Sequence, residues 1–352
     1  TRATATGLCA GVYGVSATDA NGCEQGFSVT ISEPSTGVVA NAVVLTPHNG
    51  AQVSCAGAND AIVVASGSGG TSASGTYNYV WTTGTVGDSL TGFGAGNYCV
   101  SVSDDNGCTD VACVTVTEPS VVTATIGLIV NVDCHGDSTG SATVGGTGGT
   151  VLTDYTYAWN TTPVQTTATA TGLVAGSYVV TVTDANGCNS QAVAVITEPS
   201  SDLIVGTTLV TPIGCNGDST GVAAVNVVGG AGGYNIQWNH GPMTDTVTGL
   251  PDGTYCVVVT DANNCIDSSC ITLTEPTSVG GTVTTTDADC RGSATGTATA
   301  SGIGGTGVYS YVWNTVPAQS SATETGLAAG SFTVTITDAN GCITTANGTV
   351  GE

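Results

Sequence analysis

A short string recurs five times along the chain and sets its architecture. The string reads Asp-x-Asn-Gly-Cys and begins at Asp19, Asp104, Asp184, Asp261 and Asp338, at spacings of 85, 80, 77 and 77 positions. In the fourth copy, Asn264 stands where the others have glycine. A chain with self-similarity at a fixed period folds as a series of similar units, each packed on its neighbours. The sequence therefore predicts a tandem array and not one large domain.

Glu-Pro pairs provide a second marker with the same period. They begin at Glu33, Glu118, Glu198 and Glu275, and Glu352 lies 77 positions after Glu275, where the next pair is expected. We take these pairs as unit boundaries and number the units repeat one to repeat five: 1–34, 35–119, 120–199, 200–276 and 277–352. We expect repeat one to be the C-terminal half of a unit. We expect the whole to be a piece of a longer array in a mature secreted protein.

Each full repeat has the pattern of an all-β module. In repeat three, Tyr155, Tyr157 and Trp159 alternate, which places three large side chains on one face of a strand. Such a stripe is more typical of a core than of a sugar-stacking platform. The Asn-Gly turn then joins two further strands into a hairpin. We predict small immunoglobulin-like antiparallel β-sandwiches, joined in tandem as an elongated rod.

Composition excludes several classes of function. The chain of 352 residues has 26 acidic residues and two basic ones, both arginine, so its formal net charge is −24. Nucleic-acid binding needs a basic face, which excludes that class of partner. Lysine-dependent chemistry is excluded because there is no lysine. No apolar run is long enough to span a bilayer, so we expect no direct membrane insertion. The acidic residues recur once per repeat, which argues against an enzyme.

The 14 cysteines indicate an oxidising compartment and a disulfide framework. One set precedes the glycine-rich second strand of each repeat and another follows the Asn-Gly turn, at separations of 53, 54, 50 and 52 positions. This regularity predicts one disulfide within each full repeat: Cys55–Cys108, Cys134–Cys188, Cys215–Cys265 and Cys290–Cys342. Closing loops of this size stabilises a fold by roughly 4 kcal/mol.

Two repeats carry a further cysteine pair, Cys99 with Cys113 and Cys256 with Cys270. Counting outward from the turn places the two members of each pair directly opposite one another across the hairpin. We predict that both pairs are staples on the outer face of the sandwich. Cys9 and Cys23 are left over, and a bridge between them is possible but not implied by the pattern.

The carboxylates at the turns and at the repeat boundaries have two alternative interpretations. The string Asp-x-Asn-Gly could be a calcium loop, because alternating oxygen ligands suit that ion. The ordinary role is turn chemistry, in which the aspartate caps backbone amides. The calcium candidates are Asp104, Asp184, Asp261, Asp338, Glu118, Glu198 and Glu275. We expect no other cofactor.

A specific resemblance rests on segments that recur in full. The segment from Cys134 reads Cys-His-Gly-Asp-Ser-Thr-Gly, and the one from Cys215 reads Cys-Asn-Gly-Asp-Ser-Thr-Gly. Together with the downstream Gly-Ser-Tyr-x-Val-x-Val-Thr-Asp-Ala-Asn-Gly-Cys and Thr-Glu-Pro, they resemble the SprB-type repeat of giant Bacteroidetes cell-surface adhesins. Repeats two and five depart from this pattern after Cys55 and Cys290. The resemblance implies type IX secretion, display on the outer surface of a Gram-negative cell and adhesion during gliding.

We therefore expect a non-enzymatic extracellular stalk whose partners are neighbouring repeats of the same chain. Two alternatives stay open: a self-assembling filament or sheath built from copies of the chain, and a calcium-dependent array that binds surface glycans. Ser89 and Thr246 lie in Asp-Ser/Thr-apolar tripeptides that resemble Bacteroidetes O-glycosylation acceptors.

Overall fold

All regular secondary structure in the described part of the chain is β-strand, in a computed structural model that describes residues 3–72 and 75–352. No helix among these residues is long and apolar enough to cross a bilayer. The chain divides into two compact units. The first contains the chain up to Ile129 with Ser141–Thr171 and Ser177–Val195, and the second contains Val130–Gly140, Gly172–Gly176 and Ile196–Glu352.

The described residues of repeat one contain a single two-stranded hairpin, and each later repeat contains six strands, which we call A to F in chain order. The hairpin consists of β1 (Gly11–Thr18) and β2 (Glu24–Ile31). Repeat two contains β3 (Val39–Val44), β4 (Ala61–Ser68), β5 (Asn78–Trp81), β6 (Ser89–Phe93), β7 (Gly96–Ser103) and β8 (Thr109–Val116). Repeat three contains β9 (Thr123–Val130), β10 (Gly140–Thr147), β11 (Thr156–Trp159), β12 (Thr169–Leu173), β13 (Gly176–Thr183) and β14 (Asn189–Ile196).

The last two repeats follow the same order with almost the same strand lengths. Repeat four contains β15 (Ile204–Thr211), β16 (Gly221–Val228), β17 (Asn235–Trp238), β18 (Thr246–Leu250), β19 (Gly253–Thr260) and β20 (Ile266–Leu273). Repeat five contains β21 (Gly280–Thr286), β22 (Gly296–Ile303), β23 (Ser310–Trp313), β24 (Thr323–Leu327), β25 (Gly330–Thr337) and β26 (Ile343–Val350).

Each set of six strands forms two three-stranded antiparallel sheets. Strands A, B and D make one sheet with B in the middle, and strands C, E and F make the other with E in the middle. The inward side chains of both sheets meet in one core, which in repeat four is built around Ala223, Trp238, Val257 and Val259. This confirms the all-β tandem architecture predicted from the alternating patterns.

A buried tryptophan on strand C anchors each core. Trp81, Trp159, Trp238 and Trp313 are at most 2% exposed. Each indole N–H donates to a backbone carbonyl in the loop that follows, at 2.9–3.0 Å. Burial of so large a side chain stabilises the module, and the hydrogen bond removes the cost of burying the N–H. In repeats two and five the tyrosines that precede the tryptophan are partly buried against the same core, as the alternation predicts, whereas Tyr234 of repeat four is 39% exposed.

The A–B loop and the E–F turn of a repeat lie at opposite ends of its sandwich. Strands A and F run in the same direction, because the backbone N–H of Ala40, near the start of A, donates to Asp110 at the start of F (2.8 Å). The A–B loop lies at the other end, where Gly57 N–H meets Glu118 beyond the end of F (2.7 Å). We call the end with the E–F turn the turn end and the end with the A–B loop the loop end.

Candidate functional site: the junctions between repeats

Three of the five disulfides among the described residues join neighbouring repeats. They are Cys55–Cys188, Cys134–Cys265 and Cys215–Cys342, with Cα–Cα distances of 5.6–5.7 Å. The predicted pairs Cys55–Cys108, Cys134–Cys188, Cys215–Cys265 and Cys290–Cys342 are therefore wrong. Cys108 and Cys290 are exposed free thiols. In every case the A–B loop of one repeat is bonded to the E–F turn of the next.

The opposite ends of the sandwich explain the error. Within repeat two, Cys55 lies at the loop end and Cys108 at the turn end, separated by the eight residues of strand F. Eight extended residues span about 26 Å, whereas a disulfide requires Cα atoms roughly 4.4–6.8 Å apart. Pairing between neighbouring repeats gives sequence separations that are as regular as pairing within repeats, namely 133, 131 and 127 positions. In a periodic chain, any fixed rule for pairing cysteines gives a nearly constant separation.

The boundary between the two compact units lies within repeat three. The loop segment Val130–Gly140 carries Cys134 and belongs to the second unit with Cys265 of repeat four. The segment Ser177–Val195 carries Cys188 and belongs to the first unit with Cys55 of repeat two. Each end of repeat three is thus grouped with the neighbour to which it is bonded.

The two hairpin disulfides form between the cysteines that were predicted to lie opposite each other by counting outward from the turn. Cys99 is paired with Cys113 and Cys256 with Cys270, each directly opposite across strands E and F, at a Cα–Cα distance of 4.0 Å. Cys9 and Cys23 are exposed free thiols and are not bonded to each other.

A glutamate clips the A–B loop in each full repeat. One carboxylate oxygen accepts the N–H of the glycine two positions after the loop cysteine: Glu118 from Gly57, Glu198 from Gly136, Glu275 from Gly217 and Glu352 from Gly292, at 2.6–3.2 Å. These glycines have φ between 74° and 83°, where a side chain is disfavoured. The Glu of the Glu-Pro pair therefore fixes the loop that presents the cysteine.

The aspartate of the E–F turn is a buried acceptor for three backbone donors. In repeat four, Asp261 Oδ1 accepts from Asn263 and Cys265 (2.9 and 3.0 Å), and Oδ2 accepts from Ala231 (2.7 Å). Burial raises the pKa of Asp261, but the donors together hold it below its ordinary value. The same opposing effects leave the pKa of Asp338 lowered. For Asp104, the hydrogen bond from Thr71 is the largest influence and lowers the pKa.

A Gly-Gly pair at the end of strand B makes room for this aspartate. Gly230 has φ of 63°, and a Cβ there would lie 2.6 Å from Asp261 Oδ2. The equivalent Gly70, Gly149 and Gly305 would meet the aspartates of their own repeats at 2.3–2.6 Å. The glycines at the end of the second strand therefore leave space for the aspartate of the E–F turn, and that turn carries the second cysteine of the repeat.

The asparagine of the turn reaches into the preceding repeat. Its side-chain amide donates to the backbone carbonyl of the residue just before the loop cysteine: Asn186 to Ser54, Asn263 to Asp133 and Asn340 to Gly214, at 2.8–3.0 Å. The hydrogen bond and the disulfide lie side by side, so each junction has a covalent and a polar fastening. Sequence reasoning assigned Asn-Gly to turn geometry alone and missed this role.

The junctions differ in their surrounding contacts. Between repeats two and three, Asn49 Nδ2 donates to Ala185 O and Asn186 Oδ1 (3.1 and 2.8 Å). Between repeats three and four, His135 lies 3.1 Å from Asp202 and 3.9 Å from Glu198. This histidine lines an open cavity of about 380 Å³ together with Cys134, Asp137, Cys265 and Asp267. Its place at a junction was not predicted, since the three histidines occupy unrelated positions in the repeats.

The calcium candidates have backbone partners. The turn aspartates Asp104, Asp184, Asp261 and Asp338 each accept from the loop after strand B, and Glu118, Glu198 and Glu275 hold the A–B loop glycines. Across residues 3–72 and 75–352, His, Cys, Asp and Glu side chains form no group of three or more that could hold a metal ion. The geometry supports the capping role of these carboxylates.

The two candidate glycosylation residues are accessible. Ser89 and Thr246 are exposed at the start of strand D, which is an edge strand of its sheet in both repeats.

The second residue of strand D distinguishes repeat five from the other full repeats. Glu324 is fully buried and neither carboxylate oxygen has a hydrogen-bond partner, whereas Leu90, Ala170 and Val247 occupy the equivalent core positions.

Comparisons with known proteins identify the repeat. The SprB repeat model matches residues 127–163, 207–243 and 282–318. Each match runs from strand A beyond strand C and includes a loop cysteine, at Cys134, Cys215 or Cys290. No curated protein sequence matches the chain.

Among solved structures, three tandem-domain proteins are similar at low identity. The tetra-tandem repeat in the extending region of a large adhesion protein is 17% identical, over 89% of this chain and 99% of that one, with a TM-score of 0.31. A Ca²⁺-stabilized adhesin that helps an Antarctic bacterium bind ice is 17% identical, over 91% and 100%, with a TM-score of 0.36. The N-terminal eight Ig domains of Down Syndrome Cell Adhesion Molecule are 11% identical, over 97% and 58%, with a TM-score of 0.27. At these TM-scores the similarity does not transfer function.

Proposed function

Because the chain carries three SprB repeats, we propose that it is a non-enzymatic repeat stalk of an extracellular adhesin. The stalk gives reach from the cell surface and contributes to surface adhesion. The observation that carries this proposal is the junction, where a disulfide and an asparagine–carbonyl hydrogen bond fasten each repeat from two to five to its neighbour. A chain fastened in this way passes force from one repeat to the next.

The chemistry of the recurring polar groups supports a structural role. In each full repeat the turn aspartate accepts the backbone N–H of the turn cysteine, and the clip glutamate accepts a backbone N–H two positions after the loop cysteine. A catalytic carboxylate needs an oxygen directed at a substrate. Groups that recur once per repeat and face the backbone are what a scaffold requires. We propose that these carboxylates act as caps and not as calcium ligands.

The resemblance to SprB-type repeats extends the proposal to the cell. It implies export by the type IX secretion system, display on the outer surface of a Bacteroidetes cell and a part in gliding. The net charge of −24 on a mostly uncharged surface supports exposure to solvent and disfavours contact with anionic lipid. The partners we propose are the neighbouring repeats, with surface glycans or further copies of the chain as candidates for contacts beyond them.

Electron microscopy of the purified chain, first with calcium and then with chelator, tests the stalk directly. We expect separate extended particles on the order of 150 Å long, based on strands of about 23 Å plus turns in each repeat, and the same particles in chelator. Ordered bundles, tubes or fibres would overturn the stalk in favour of a self-assembling filament or sheath. Particles that become flexible only in chelator would favour a calcium-dependent array, and glycan binding would then be measured with and without the ion.

Surface location and glycosylation have their own measurements. Antibody labelling of intact cells should detect the repeats if they are displayed outside, and labelling only after lysis would contradict that. Modification of Ser89 and Thr246 would add hexose-sized increments to the intact mass of native material. Ser89→Ala and Thr246→Ala variants should then lose those increments one at a time.

A further inference from the structure

The three staples between repeats enclose overlapping segments of the chain. Cys134 lies inside the segment closed by Cys55–Cys188, and Cys215 lies inside the segment closed by Cys134–Cys265. The third staple, Cys215–Cys342, closes a segment that begins before Cys265. Because the segments overlap, the covalent route along the molecule differs from the route along the sequence.

The covalent route from Cys55 to Cys342 is short. It crosses one disulfide from Cys55 to Cys188, follows the chain from 188 to 215, and crosses the second disulfide from Cys215 to Cys342. That is 27 positions of chain, 215 minus 188, where the sequence itself has 287, 342 minus 55. Sixteen of the 27 are already extended in strand F of repeat three and strand A of repeat four.

From this connectivity we propose that the overlapping disulfides make the array an inextensible strap. Tension between repeats two and five is carried by the segment from 188 to 215 and two disulfides. Strands B to E of each sandwich lie outside that route. Once the route is fully extended, the tension is carried by the two disulfides and the chain between them, and these strands cannot be pulled out further. The hairpin staples Cys99–Cys113 and Cys256–Cys270 also lie outside it.

Chain lengths show how strong the effect is. At about 3.5 Å per extended residue, 27 positions span roughly 95 Å, whereas 287 positions span roughly 1,000 Å. Pairing within repeats would leave three stretches of 26, 27 and 25 positions outside the loops, or 78 in all, which span roughly 270 Å. The strap therefore limits extension about tenfold, and about threefold more than separate stapled modules would.

The covalent limit depends on which of the three disulfides between repeats are intact. Loss of Cys55–Cys188 alone changes the shortest route. It then runs from 55 to 134 across the Cys99–Cys113 staple, through Cys134–Cys265, from 265 to 215 across the Cys256–Cys270 staple, and through Cys215–Cys342. This route has 65 plus 46 positions, 111 in all, or roughly 390 Å, because the two hairpin staples shorten it. Loss of Cys134–Cys265 leaves the original route of 27 positions untouched. The proposal concerns connectivity and holds whether or not the chain is an adhesin stalk.

Single-molecule stretching of the full chain, held at its two ends, tests the strap. Relative to the oxidised chain, full reduction should lengthen the extended molecule by roughly 900 Å. The C55S/C188S variant, in which both hairpin staples remain, should lengthen it by roughly 300 Å, and the matched C134S/C265S variant should leave the limit unchanged. Because the limit is read at high force after unfolding, it depends on connectivity and not on stability. Peptide mapping without reductant should confirm that the remaining pairs form in each variant.

A different pattern would overturn the proposal. If Cys134–Cys265 were not part of an overlapping set but Cys134 were bonded to Cys188, the C134S/C265S variant would lengthen the oxidised chain by several hundred ångströms. An oxidised chain that already stretches as far as the reduced one would show that the staples do not form. Either result can be obtained without any adhesion assay, so it is distinguishable from failure of the proposed function.

Discussion

Asn263 in the E–F turn of repeat four donates its side-chain N–H to the carbonyl oxygen of Asp133 in repeat three, 2.8 Å away. The contact places Cys265, two positions after Asn263, against Cys134, one position after Asp133. The same geometry recurs with Asn186 and Asn340. A motif that reads as an ordinary hairpin turn is therefore also the recognition element between repeats.

Replacing that asparagine should weaken one junction. We expect Asn263→Ala to cost about 1 kcal/mol, the net value of a typical hydrogen bond. Hydrogen exchange in the A–B loop of repeat three should rise accordingly. Asn106→Ala is the matched control, because Asn106 holds the same turn position in repeat two and no A–B loop precedes it among the described residues. Equal effects of the two substitutions would assign the asparagine to turn geometry alone.

The clip glutamate should control formation of the disulfide beside it. Glu275 Oε2 accepts the N–H of Gly217, and Oε1 accepts from Asn216 Nδ2, both at 2.6 Å. We expect Glu275→Ala to cost about 1.5–3 kcal/mol as a lost charged hydrogen bond, and to slow reoxidation of Cys215–Cys342. Reoxidation of Cys134–Cys265 in the same molecule is the internal control. Unchanged relative rates would contradict a positioning role for Glu275.

Gly230 should tolerate no side chain. Alanine there would meet both the unfavourable φ of 63° and Asp261 Oδ2 at 2.6 Å. Nearby Gly232 has φ of 75° but open space around its Cβ position. We expect Gly232→Ala to cost about 1–2 kcal/mol from the backbone alone, and Gly230→Ala to cost more in the same denaturant titration. If both substitutions cost the same, the cradle around Asp261 is not tight.

The turn aspartates predict loss of stability in acid. The pKa values of Asp104, Asp261 and Asp338 are lowered from the ordinary 3.8. A lowered folded-state pKa stabilises the fold above the unfolded value, and this stabilisation is lost as the pH falls through the folded-state value. The denaturation midpoint should therefore change little from neutral pH down to about pH 5 and fall below about pH 4. The D261N/D338N variant should be less stable at neutral pH and show a shallower fall in acid. An unchanged acid slope would mean that other groups control it.

Glu324 should be a weak point confined to repeat five. Its carboxyl is fully buried without a hydrogen-bond partner, where repeat four has Val247. An unsatisfied buried polar group costs about 1–3 kcal/mol, so Glu324→Val should slow hydrogen exchange in strand D of repeat five. The reciprocal Val247→Glu should accelerate exchange in strand D of repeat four. Because repeats can unfold separately, exchange resolved by repeat is more informative than a single melting curve. Loss of stability in Glu324→Val would show that the carboxyl has a favourable partner.

Local sequence patterns predicted much of the fold. The period of the Asp-x-Asn-Gly-Cys string predicted the tandem array, and alternating aromatics predicted the buried Trp238. Counting outward from the turn paired Cys256 with Cys270 correctly, because the register of a tight hairpin is fixed by its turn. These features depend on residues close together in the sequence.

The junctions depend on which end of a sandwich each loop occupies. That is a property of strand direction, and it decides whether Cys134 meets Cys188 or Cys265. In a periodic chain both choices have constant spacing, so arithmetic cannot separate them. The roles of Glu275 and Asn263 followed only once the loop end of one repeat and the turn end of the next had been placed together.

Mass spectrometry of disulfide-linked peptides from the unreduced chain tests the central claim most directly. After digestion between the cysteines, the peptide that contains Cys134 should be linked to the peptide that contains Cys265. The peptides of Cys55 and Cys215 should be linked to those of Cys188 and Cys342. Linkage of Cys134 to Cys188 and of Cys215 to Cys265 would contradict the account, because each repeat would then be stapled only to itself.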